Sequence, residues 1–257
     1  MLNRIRALLG MAGGRVGYVY AAKGETGPMQ DARVGGAVRL PDRGPPWIVV
    51  DFDLAKMTVT RWPGRLWRVR VMEAATERDQ RVAGGPPNDQ ANYVRAIAVR
   101  VLNEEDPARL FGPHGGALIA LFDGAARITR DQAQRLARSR HADAAGAYDR
   151  AMRRWASGEN LATPSADLDG ALKIGGRSPI NAALAVLHGI LFERAHAIDG
   201  AHASSELDND VSLVEPWATA AQTMGDAALA IGAPELMSME DRAALVSAYA
   251  GVLRGPA

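Results

Sequence analysis

Between residue 14 and about residue 75, apolar and polar positions alternate along the chain. Residues 16–22 (Val-Gly-Tyr-Val-Tyr-Ala-Ala) read as a strand. Residues 47–53 read as another, a β-branched and aromatic run that follows Gly44, Pro45 and Pro46. Residues 56–62 and 66–72 flank Pro63 and Gly64, which predicts a hairpin: proline presets φ, and glycine accepts positive φ. In the second arm Trp67, Val69 and Val71 fall on one face and Arg68 and Arg70 on the other. That is the pattern of an antiparallel sheet with one side packed and one side wet. A weaker strand is expected at 37–40.

Beyond residue 89 the period becomes helical. Residues 90–103 place Tyr93, Ala96, Ile97 and Val101 on one stripe and read as a helix. Further helices are expected over 115–122, from 131 to about 156, over 179–199, from 215 or 216 to 231, and from 238 to about 253. Pro179 suits a first helical position, and Gly200 suits a helix end. Ser238 and Asp241 form a variant capping box. Residues 158–177 read as a long polar loop. The expected fold is α+β: a small N-terminal antiparallel β-sheet followed by a predominantly α-helical C-terminal region. The regions are drawn at 1–80 and 88–257, with a Gly-Pro-rich linker between them. The first fourteen residues fit a short amphipathic helix better than a secretion signal.

Composition narrows the chemistry. The chain has no cysteine, which excludes disulfides, thiolate metal sites and cysteine nucleophiles. Only three of the 30 basic residues are lysines (Lys23, Lys56, Lys173), an arginine and alanine bias that points to a GC-rich bacterial genome. No apolar run approaches a membrane span, so a cytoplasmic protein is expected. The net charge of +1 hides an asymmetry: residues 1–128 carry +5 and residues 129–257 carry −4. Residues 127–154, which open the acidic half, hold eight arginines against three aspartates. An acidic helical surface docking on that basic helix is one use for them.

Five constellations are chemically suggestive. On the 179–199 helix and its end, His188, His196, Asp199 and His202 fall within about a third of the helix circumference. Glu193 and His196 add a Glu-x-x-His pair, so His188, Glu193, His196 and Asp199 form a candidate metal set. Residues 165–176 match a calcium loop at Asp167, Asp169 and Gly170 but end in Gly176, where a bidentate glutamate is required. The arginines of the 131–156 region, chiefly Arg135, Arg138, Arg150, Arg153 and Arg154, suit an anionic partner. So do Arg61, Arg68 and Arg70, near Trp62 on the sheet. Asp51 and Asp53 place two carboxylates at a strand end. His114 stands apart, in a glycine-rich turn.

No phosphate-binding loop, dinucleotide fingerprint or nucleophile elbow is present, and no cofactor is expected. The leading expectation is a non-enzymatic binding or assembly protein whose arginine-rich surface meets an acidic protein or nucleic acid. A protein partner or a second copy of the chain also fits. The alternative is a metal-dependent, hydrolase-like enzyme built on the 179–199 helix.

Overall fold

Alternating side chains need a sheet with two different faces, and the chain supplies one. The computed structural model describes residues 14–59, 61–76, 78–79, 92–157, 179–200, 202–204 and 211–254. The N-terminal helix expectation and the calcium-loop match at 165–176 lie outside these residues, as does most of the expected linker. The chain divides into two compact units. One comprises Met1–Met57 and Trp62–Arg109, and the other Thr58–Arg61 and Leu110–Ala257.

The sheet unit contains β1 (Val16–Ala22), β2 (Ala37–Arg39), β3 (Ile48–Asp51), β4 (Gly64–Ala74) and β5 (Tyr93–Glu105). All pairings are antiparallel, in the order β2-β5-β3-β1-β4. β4 also pairs with β5, so four of the strands close into a barrel. The two longest strands make closure possible, because each must serve two neighbours. Register shifts between Arg68 and Val69, and again on either side of Glu73, bend β4 along β5. Val19, Ile48, Val50, Trp67, Val69, Val99 and Val101 fill the interior. Arg68 and Arg70 face out, so the two-faced reading of β4 matches the fold.

Two expectations in this region are corrected. The described residues of 56–62 form no strand, and no hairpin turns at Pro63 and Gly64. Instead Asp53 accepts from the Ala55 amide at 3.0 Å and starts a single 3-10 turn, Leu54–Lys56. β4 begins at Gly64, against Ala22 at the end of β1. The described residues of 90–103 are not a helix; Tyr93–Glu105 is the longest described strand of the barrel. Ile97, Val99 and Val101 point inward with Arg100 outward, a two-residue period that the intervening alanines disguise.

Barrel closure is tight at Gly17. A Cβ there would lie 2.5 Å from the Asp51 carbonyl oxygen and 2.7 Å from Val50 Cγ1. Gly17→Ala is therefore expected to cost about 1–3 kcal/mol, because backbone must move to admit it. Urea unfolding followed by tryptophan fluorescence checks this.

The helical unit has α1 (Gly115–Ala126), α2 (Arg130–Ser139), α3 (Ala144–Ser157), α4 (Pro179–Asp199), α5 (Trp217–Gly232) and α6 (Met239–Tyr249). A two-stranded ribbon, β6 (His202–Ser204) and β7 (Val211–Leu213), lies between α4 and α5. α5 is the centre and packs against α1, α2, α3, α4 and α6. Its buried run of Ala220, Ala227, Ala228 and Ala230 lets those neighbours approach closely. Trp217 and Met224 add bulk on the same helix.

Several ends follow local chemistry. Ser238 Oγ accepts from the Asp241 amide at 3.1 Å and starts α6, as its sequence predicts. Gly200, at φ 57°, ends α4, also as expected. The helix expected from 131 to about 156 is two helices. Thr129 and Gln132 cap the first reciprocally. Arg140 then takes an extended ψ of 128°, which ends it. The fold is thus mixed α+β, an N-terminal antiparallel sheet followed by helices. Among the described residues no helix is long and apolar enough to cross a membrane.

Candidate functional site

The arginines singled out in the sequence divide into two groups by what surrounds them. On α3, Arg150 donates to Asp241 at 2.6 and 3.1 Å and to Asp143 at 2.6 Å. Arg154 donates to the Leu236 carbonyl at 2.9 Å and lies 3.8 Å from Asp241. Arg140, which follows α2, grips Asp226 at 2.8 Å. These cations hold α5 and α6 to the rest of the unit. Arg150 keeps the Asp241 carboxyl below the usual carboxylate range. Arg135, Arg138 and Arg153 are exposed on α2 and α3, and Arg61 is exposed within the Thr58–Arg61 segment.

The barrel's outer face differs. Arg70 on β4 stands directly opposite Val16 on β1 and Arg100 on β5. Facing residues of antiparallel strands have Cβ atoms about 5 Å apart, so two like charges here repel. Neither Arg70 nor Arg100 has an acidic partner among the described residues. The next row holds Tyr18, Arg68 and Asn103. Arg68 is within electrostatic reach of Glu105, which Asn103 and Arg109 also bind. Aromatic rings share this unit's surface with guanidinium groups: Arg15 lies 3.6 Å over Phe52, and Arg95 lies 5.5 Å over Trp47. Tyr20 and Trp62 stack in parallel with centroids 6.4 Å apart.

At the end of β3, Asp51 faces Tyr18 across one ladder and Tyr93 across the other. Burial, and secondly the Asp53 carboxylate, push the Asp51 carboxyl up to about 7. Asp53 itself lies past the strand end and caps the 3-10 turn.

The candidate metal residues do not converge. His188 is exposed and stacks on Phe192. Glu193 and His196 are exposed along α4. Asp199 accepts from the Trp217 indole at 2.8 Å and lies 3.5 Å from Arg130. Among the described residues no three His, Asp or Glu side chains are placed to hold a metal ion. His114 is half-buried just before α1 and makes no side-chain cap. Arg100 went unnoticed in the sequence. The Val99-Arg100-Val101 alternation was the available signal, read there at helical period. Comparisons with protein-family models, curated proteins and solved structures found no match.

Proposed function

We propose that the chain is a non-enzymatic binding protein whose sheet unit engages single-stranded nucleic acid on the barrel's outer face. The observation that carries this reading is the facing pair Arg70 and Arg100, two cations on neighbouring strands with no acidic partner among the described residues. A phosphate placed there relieves their repulsion, which an internal role would not require. Arg68 and the half-buried Tyr18 in the adjacent row extend the strip, and the Tyr18 ring supplies an edge on which an unstacked base can rest. The arginines of α3 support the same reading by contrast, because Arg150 and Arg154 already serve Asp241.

The test is fluorescence anisotropy of a labelled oligothymidine with the full chain, repeated across a salt series. Binding is expected to weaken steeply with salt. Arg70→Glu with Arg100→Glu should lower the affinity at least about tenfold and flatten the salt slope by about 0.7 per lost phosphate contact. Absence of binding at low salt, or binding that the double variant leaves unchanged, refutes the proposal. Polyglutamate binding more tightly than oligothymidine, and lost in the double variant, would assign the face to an acidic protein instead.

A further inference from the structure

In the helical unit, α3, α4 and α5 frame an open cleft of about 420 Å3. Its walls at one end are mostly apolar, with Leu184 and Leu187 from α4, Leu213 from β7 and Ala218 and Ala221 from α5, and the exposed His188 at their rim. An adjoining cavity of about 380 Å3 shares Tyr148, Leu184, Gln222 and Gly225 with the first. It ends at Asp149, Asp226 and Arg140. The cleft therefore has an apolar end and a polar end, in the size range of small-molecule sites.

The polar end has two carboxylates against one guanidinium. Arg140 spends its Nε and one terminal nitrogen on Asp226, at 2.8 and 3.4 Å. Burial still holds the Asp226 carboxyl above its ordinary range. The Tyr148 hydroxyl is pushed up by burial and then by the fields of Asp226 and Asp149. Among the described residues neither that hydroxyl nor the Gln222 carboxamide has a hydrogen-bond partner. Gly225 sits where the two cavities meet. A Cβ there would have Leu184 Cδ2 as its nearest neighbour at 3.7 Å, so nothing within the protein requires glycine at this helical position. Its effect is to keep the cleft open.

We propose that this cleft binds a small amphiphilic amine. The ammonium group lies at the polar end against the exposed Asp149 carboxylate, with Tyr148 and Gln222 accepting its remaining hydrogen bonds, while Asp226 stays paired with Arg140. An aliphatic chain of about six carbons runs between Leu184, Leu187 and Ala221.

The test titrates the full chain with n-hexylammonium, hexan-1-ol and hexanoate, read by calorimetry and NMR shift changes. Saturable n-hexylammonium binding is expected with a dissociation constant on the order of 1 mM. Hexan-1-ol should bind about tenfold more weakly, and hexanoate should not bind. Gly225→Leu fills the junction and should abolish binding while far-UV circular dichroism stays unchanged. Asp149→Asn, at an exposed position, should shrink the preference for the amine over the alcohol, and this holds whether or not the leucine variant folds. Three results overturn the proposal: hexanoate binding as well as the amine, no saturable binding to the unaltered chain, or an unchanged amine preference in Asp149→Asn.

Discussion

Asp51→Asn is expected to stabilise the protein by about 2 kcal/mol at pH 8 and to change little at pH 4. The half-buried Asp51 carboxyl titrates at about 7 in the fold, against 3.8 for an ordinary aspartate. Burial disfavours its ionised form, and Asp53 adds to that. The folded state thus holds a proton that the unfolded chain has already released. The Asp51 contribution to stability is therefore largest below about pH 4, falls as pH rises toward 7, and levels off above. Full linkage over that interval corresponds to about 4 kcal/mol, and partial solvent access brings it to roughly half. Asparagine keeps the shape, cannot ionise, and should remove this dependence. Urea unfolding of both proteins at pH 5, 6.5 and 8 measures it. Parallel pH profiles for the two would mean that Asp51 is ionised and well solvated in the fold.

Asp51 shows what the sequence can and cannot carry. An Asp-x-Asp at a strand end was visible as a pattern. Which carboxyl is buried depends on β1 and β5 crossing β3 on both sides, and those pairings are not local. The same holds for β5. Its alanines suit a helix as well as a strand, and only pairing with β2, β3 and β4 decides between them. The inward and outward faces of β4 were legible because a strand's period is a property of the strand alone. The Ser238 cap and the Gly200 end were legible for the same reason: each is settled within four residues. Arginine function was legible only by type. Arg150 and Arg70 look alike in sequence, yet one faces Asp241 and the other faces Arg100. That difference arises from contacts 91 and 30 positions away along the chain.

Arg140→Met is expected to destabilise the helical unit by about 3–5 kcal/mol near pH 8. Asp226 is 3% exposed on α5, and Arg140 is the cation that pairs with it. Even with that pairing, burial dominates and holds the Asp226 carboxyl above its normal range. Removing the guanidinium leaves a desolvated carboxylate beside the central helix. The loss should shrink as pH falls, because protonation then relieves the buried charge. Two controls separate this from a general loss of arginine packing. Arg140→Met with Asp226→Leu should recover most of the stability, since a packed apolar pair replaces a buried ion pair at little cost. Arg65→Met, which breaks the exposed pair with Glu104 at 2.7 Å, should leave the urea midpoint almost unchanged. A small effect of Arg140→Met, or a double variant no better than the single, would mean that water reaches Asp226. The central helix would then be held by its alanine packing alone.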